Sequence, residues 1–185
     1  MTGRVLVLAA LRNELSPARA PKGVDVIYTG VGKVNAASIT TGALLASRPS
    51  LVVNYGTAGG IAEGLHGLLE VARVIQRDMV AEPIAPRGVT PFSDDPLALE
   101  TGFGTITCGT GDSFVTAGDP WLAANGVHVV DMELFAIAHV CHKHAVDWRA
   151  FKFISDFADS NAADHWQENV AKGEALFWEK LREIL

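Results

Sequence analysis

The feature that most constrains this chain is the run Leu51-Val-Val-Asn-Tyr55, which passes without a break into Gly56-Thr-Ala-Gly-Gly60. An apolar run without polar alternation reads as a strand covered on both faces, as a parallel sheet requires. Val5–Leu8, Val26–Tyr28, Val71–Ile75, Gly104–Cys108, Val127–Val130 and Phe151–Ile154 are further candidate strands. Helical patterns fill the gaps. Val34 to Leu45 reads as a helix entered from Thr29-Gly-Val-Gly-Lys33, and Met132 to Cys141 as another. Near the end, Asp164-His-Trp-Gln167 fits a capping box, after which Trp166, Val170, Phe177 and Leu181 recur at helical spacing. Strands and helices in this order predict an α/β domain with a parallel or mixed sheet between helices. Four prolines between Ala81 and Gly102 mark a long loop, a candidate lid or interface arm.

With 185 residues and no linker or repeat, the economical expectation is one domain over residues 1–185. The formal charge of −6 supplies no basic footprint, so neither nucleic acid nor an anionic membrane is an expected partner. Cys108 and Cys141 lie in apolar surroundings without CxxC spacing and read as buried free thiols. The apolar start is cut short by Arg12, Asn13 and Glu14, which predicts a buried strand rather than a signal peptide and a cytoplasmic protein. His139, His142 and His144 lack metal-ligand spacing and read as a polar helix face, so no metal is expected.

Polar groups stand where the expected strands end, the usual binding edge of an open α/β sheet. Glu14 follows the first strand, and Asn54 with a Gly56–Gly60 turn ends the central one. Asp131 and Glu133 follow Val127–Val130, while Ser155 and Asp156 follow Phe151–Ile154. The glycine turn matches neither GxGxxG nor a P-loop, so on its own it is equally well a tight structural turn. Separated carboxylates suit glycosidic cleavage, which needs a proton for the leaving group and a base for water. Glu14, Glu133 and Asp156 are candidates for those tasks. The plainer alternatives are helix capping for Asp156 and Glu133, and a solvated loop carboxylate for Glu14.

The same positions resemble the nucleoside phosphorylase/nucleosidase superfamily, and most of all its methylthioadenosine/S-adenosylhomocysteine nucleosidase branch. The likeness runs in order through Ala10-Leu-Arg-Asn-Glu14, Thr29-Gly-Val-Gly-Lys-Val-Asn-Ala36 and Asn54-Tyr-Gly-Thr-Ala-Gly-Gly-Ile61. It continues through Thr110-Gly-Asp-Ser-Phe-Val115, Val130-Asp-Met-Glu-Leu-Phe-Ala-Ile-Ala138 and Phe153-Ile-Ser-Asp-Phe-Ala-Asp159. The resemblance implies a three-layer α/β/α domain with a central mixed, partly curled sheet, a homodimer, and hydrolysis of a purine nucleoside with no metal or organic cofactor. It implies that Asp156, with a raised pKa, protonates N7 of the purine, and that Ser155 orients Asp156. Glu14 would activate water at the anomeric carbon. Glu133 would hold the ribose hydroxyls, Met132 would pack on the sugar, and Gly59 would approach the ligand. Phe114 would stack on the base while the backbone at Val115 reads its edge.

Phosphorolytic relatives carry an arginine at the position occupied here by Asn54, so the resemblance favours water over phosphate as nucleophile. A phosphate-dependent phosphorylase and a non-catalytic nucleoside-binding protein are the alternatives. Two departures stand out. Only fifteen residues lie between Glu14 and Gly30, a shortening expected to widen the pocket or displace Glu14. An arginine common before the Ser-Asp pair is here Lys152, which keeps the charge and changes its geometry. The stretch from Gln76 to Phe92 is expected to serve the 5′ side of the pocket or a dimer interface.

Overall fold

The computed structural model describes residues 3–115, 118–156, 169 and 171–185. Its strands are β1 (Val5–Ala9), β2 (Val24–Tyr28), β3 (Leu51–Gly60), β4 (Leu68–Gln76), β5 (Ala98–Glu100), β6 (Ile106–Thr110), β7 (Val129–Asp131) and β8 (Asp147–Asp156). The described helices are α1 (Lys33–Ser47), α2 (Pro120–Ala124), α3 (Leu134–Lys143) and α4 (Glu174–Ile184).

The sheet runs β2-β1-β3-β7-β6-β4-β5, with β8 pairing both β3 and β4. Strands β1, β2, β3 and β8 are mutually parallel, and so are β4, β6 and β7. The two blocks oppose each other at β3–β7 and β4–β8. Since β8 bridges β3 and β4, strands β3, β7, β6, β4 and β8 form a closed circuit, which is the curling expected of the mixed sheet. Alternation along β1 supplies both covering layers. Leu6 and Leu8 join the cluster beneath α1 and α3 with Val52, Val74 and Ile137. Val5, Val7 and Ala9 point the other way, into a cluster with Tyr55, Phe151 and the α4 residues Phe177, Trp178 and Leu181. Helices therefore cover both faces, as expected of a three-layer domain.

Several boundaries differ from the sequence reading for identifiable reasons. Gly56–Gly60 is not a turn but the second half of β3, paired in parallel with β8. Asn54 accordingly sits in mid-strand rather than at a strand end, buried, with Nδ2 donating to the Leu8 carbonyl at 3.0 Å. The strand expected from Gly104 begins at Ile106, because Gly104 has φ +79° and a Cβ there would lie 2.3 Å from the Glu70 carbonyl oxygen. The long loop contains β5, three residues antiparallel to β4. Helix α3 starts at Leu134 rather than Met132, where Asp131 Oδ2 accepts the Leu134 amide at 2.9 Å. Glu133 occupies the capping position without a capping side-chain bond, so the capping alternative for this residue fails. The Asp164–Gln167 box, Trp166 and Val170 lie outside the described residues.

Within the closed circuit, Lys152 of β8 and Asp131 of β7 form an ion pair at 2.7 Å, with side chains 1% and 0% exposed. Burial opposes the charge on each. For Lys152 the Asp131 carboxylate outweighs it and holds the ammonium above its usual range. For Asp131 the Lys152 ammonium, the Thr110 hydroxyl and the Leu134 amide outweigh it and keep the carboxyl below its usual range. Removing one partner strands a desolvated charge, which costs about 3–5 kcal/mol. Lys152→Ala is expected to lose that much in urea unfolding at neutral pH, and a loss below about 1 kcal/mol would contradict a role for the pair in holding the circuit closed.

Candidate active site

A cavity of about 250 Å³ opens where β1, β3, β4, β6, β7 and β8 end. It is lined by Glu14 and Thr57 on one side, by Met132 and Glu133 after β7, and by Phe114 and Val115 after β6. Gly59, Arg77 and Ser155 also contribute to its walls. A larger hollow touches Lys22, Ser50, Asp147 and Arg149 at the opposite ends of β2, β3 and β8, away from the carboxyl edge where open α/β sheets bind ligands.

Glu14 is held firmly. Its Oε2 accepts the Leu11 amide at 2.9 Å, and its Oε1 accepts the Thr57 amide at 3.0 Å and the Thr57 hydroxyl at 3.1 Å. It is 4% exposed, so the solvated-loop alternative fails. The short segment after it, a 3₁₀ turn at Pro17–Arg19 followed by β2, leaves Glu14 on the cavity wall. Gly56 explains how the carboxylate fits. A Cβ at that position would lie 3.3 Å from Glu14 Oε1 and 3.5 Å from Lys152 Nζ. The glycine-rich half of β3 thus provides close approach within a strand, not the left-handed turn its composition suggests.

Glu133 is placed differently. Its Oε1 accepts the Gly32 amide at 2.8 Å, just before α1. Next to it, the Lys33 amide, the first of that helix, donates to Asp112 Oδ1 at 2.8 Å. Two carboxylates from elsewhere in the chain thereby serve the amino end of α1, where positive potential favours anions. Burial and the negative charge of Asp131 push the Glu133 pKa up to about 7, against the opposing pull of Lys152 and the Gly32 amide, with Glu14 adding to the rise.

Of the residues expected to form the site, Glu14, Gly59, Phe114, Val115, Met132, Glu133 and Ser155 all line this cavity. The backbone of Asp156 ends β8 opposite Gly59, across an irregularity in the β3–β8 register. The Asp156 side chain, and with it the expected pKa rise, lies outside the described structure. Thr57 is a wall residue that the sequence reading does not single out, while Arg77 falls in the Gln76–Phe92 stretch expected at the 5′ side of the pocket or a dimer interface, without a role of its own. The signal for Thr57 is its place among the β3 glycines, whereas no local pattern reports the partners of Arg77. Cys108 and Cys141 are buried and free, as expected, and burial raises both thiols. Among the described residues no helix is long and apolar enough to cross a membrane, and no His, Cys, Asp or Glu cluster could hold a metal ion.

A mixed α/β sheet with a carboxylate-lined cavity at its strand ends defines the class of protein. Residues 21–185 match the family model of the phosphorylase superfamily, and the chain belongs to that superfamily. A protein of Actinobacillus succinogenes named 5′-methylthioadenosine/S-adenosylhomocysteine nucleosidase is 32% identical over 170 residues, covering 80% of this chain and 74% of that protein. One of the same name from Haemophilus influenzae strain PittEE shows the same identity and coverage. The Helicobacter pylori nucleosidase structure with 5′-methylthioadenosine in its active site superposes with a TM-score of 0.88 at 24% identity, over 100% of both chains. Futalosine hydrolase of the same species also gives 0.88, at 23% identity over 100% of this chain and 99% of that one. These two likenesses are of fold.

The raised pKa of Glu133 has a stability consequence of definite sign. The folded state binds this proton more tightly than the unfolded chain, so wild-type stability falls as pH rises from 4.5 through about 7. Glu133→Gln, which can keep the bond from Gly32, removes the penalty. Its stability should match wild type below pH 4.5 and exceed it by up to roughly 3 kcal/mol above pH 7, measured by urea unfolding across that range.

Proposed function

We propose that this chain is a purine nucleosidase that hydrolyses the N-glycosidic bond of a 5′-substituted adenosine, such as methylthioadenosine or S-adenosylhomocysteine, without a metal or organic cofactor. The observation that carries this reading is Glu14, fixed by Leu11 and Thr57 on the wall of the same cavity as Glu133. Glu14 takes the proton of a water that attacks the anomeric carbon. Asp156, oriented by Ser155, protonates N7 so that the purine leaves neutral. Glu133 accepts hydrogen bonds from the ribose hydroxyls, and the positive charge that develops on the sugar favours its ionised form. Met132 packs on the sugar, Phe114 stacks on the base, the Val115 backbone reads the base edge, and Gly59 gives the ligand room.

The names of the two bacterial relatives support this substrate class, and the carboxylate-rich wall supports water over a phosphate dianion. Residues 1–185 act as one catalytic domain in a cytoplasmic homodimer. The exposed apolar side chains Val34, Leu45, Ile84 and Phe92, the last 97% exposed, are surface that a partner would cover. Sedimentation at twice the chain mass is the expected result, and a monomer at micromolar concentration would overturn that part.

The activity test is purine release from methylthioadenosine, adenosylhomocysteine, 5′-deoxyadenosine and inosine, with and without phosphate. Release should be independent of phosphate and greatest for a 5′-substituted adenosine. Glu14→Gln and Asp156→Asn should each lower kcat by about 10²–10⁴ without loss of fold. No release from any substrate, or a strict need for phosphate, would sink the assignment.

A further inference from the structure

Arg77 is an unusual group to find on the wall of a nucleoside cavity. It follows β4, is 4% exposed, and makes no ion pair among the described residues. Its guanidinium is instead spent on neutral acceptors within one short stretch of chain. Nε donates to the Gly109 carbonyl at 3.2 Å and Nη1 to Ser113 Oγ at 3.2 Å. Nη2 donates to the Gly111 carbonyl at 2.9 Å and also to the Ser113 carbonyl. Burial lowers the pKa of Arg77, opposed by the negative charges of Asp78 and Asp131.

The facing backbone leaves room for this side chain at Gly111. A Cβ at Gly111 would lie 2.9 Å from both Arg77 Cζ and Asp78 Cγ, so a side chain there would displace the guanidinium or its acidic neighbour. The arginine is also anchored through its own backbone. Its amide donates to the Thr110 carbonyl at 2.9 Å, and its carbonyl accepts Arg87 Nε at 2.7 Å. Arg87 in turn pairs with Asp119 at 2.6 Å and stacks over Trp121. A planar fork with several fixed donors can hold three acceptor residues at once, which a lysine ammonium cannot do with the same reach.

We infer that Arg77 is a positioning residue that splints the segment from Gly109 to Ser113, and so fixes Phe114 and Val115 in the geometry that receives the purine. This rests on the proposed roles of Phe114 and Val115 for its meaning in catalysis, while the splint itself is independent of them. Phe114 is 55% exposed, so little else packs it in place. The order it needs comes from the preceding residues, whose carbonyls Arg77 gathers. The effect falls on substrate capture, since the carboxylates of Glu14 and Glu133 are held by Leu11, Thr57 and Gly32 and not by Arg77.

The test compares Arg77→Met and Arg77→Lys with wild type in two measurements. Hydrogen exchange of the amides at residues 111–115 reads the splint without any substrate, and steady-state kinetics with methylthioadenosine reads its use. Both variants should exchange at least about tenfold faster in that segment. Both should also raise KM about tenfold or more while kcat changes less than about threefold. Ser113→Ala, which removes one acceptor without touching the arginine, should move both readouts in the same direction by a smaller factor, and serves if either Arg77 variant fails to fold. Unchanged exchange in the folded variants would overturn the splint, and so would full restoration by lysine, because charge alone would then suffice. Altered exchange with unchanged KM would overturn the catalytic part. Absence of purine release by the wild-type protein would refute the proposed activity and leave the exchange result to decide the splint.

Discussion

The closed part of the sheet is organised around the buried pair of Lys152 and Asp131. A lysine and an aspartate this deep are tolerated only because each satisfies the other and because the aspartate has further donors. Asp131 Oδ2 takes Lys152 Nζ and the Leu134 amide, while Oδ1 takes the Thr110 hydroxyl at 2.5 Å and the Cys108 thiol at 3.4 Å. One carboxylate thereby ties β8 to β7, β7 to β6, and all three to the start of α3. Thr110 extends the link, since its hydroxyl oxygen accepts the Phe135 amide at 2.9 Å. Met132 and Glu133 lie between the strand and helix that this network clamps, so their placement follows from it.

The same network sets the charge environment of the cavity. Glu133 is two residues from Asp131, accepts the Gly32 amide, and carries a raised pKa. Lys152 offsets part of that rise, but its close ion-pair partner is Asp131. The lysine in place of the arginine expected from the family resemblance therefore has a structural consequence. Its compact ammonium makes a point contact with Asp131, where a guanidinium would have presented several donors over a wider arc. Gly56 makes room for Glu14, whose Oε1 would lie 3.3 Å from a Cβ there, while Lys152 Nζ at 3.5 Å would only be in ordinary contact.

Much of this was legible in the sequence, and the failures have a common cause. The non-alternating runs at Val5–Leu8 and Leu51–Tyr55 announced doubly covered strands, and the order of elements announced helices between them. The residues suspected of chemistry at the strand ends mostly meet at one cavity, because the carboxyl ends of several strands converge there. Reading Gly56–Gly60 as a turn was wrong since glycine serves both positive φ and close approach, and only tertiary contact tells the two apart. Gly104 gave the opposite result, with a genuine positive φ that delays β6. β5 was hidden because three residues carry too little periodicity to stand out from a proline-rich loop. Arg77 stands in the stretch expected at the 5′ side of the pocket or a dimer interface, but its hydrogen bonding has no sequence signature, because its acceptors lie more than thirty residues away in the chain.

The balance of cations in the cavity bears directly on the choice of nucleophile. A phosphate dianion needs donors that are desolvated, convergent and not already committed. Among the described residues, two buried cations, Arg77 and Lys152, stand near the site and both are committed, Arg77 to the carbonyls and hydroxyl of Gly109–Ser113 and Lys152 to Asp131. At the central strand, Asn54 faces the Leu8 carbonyl instead of offering a guanidinium to an anion. Glu14 and, in its ionised form, Glu133 add negative charge to the same walls, and in a low-dielectric cavity the repulsion of a dianion is stronger than it would be in water. Water carries no such penalty and needs only an acceptor for its proton. The carboxylate fixed by Leu11 and Thr57 provides one, so the features that make the site poor for phosphate also suit it to hydrolysis.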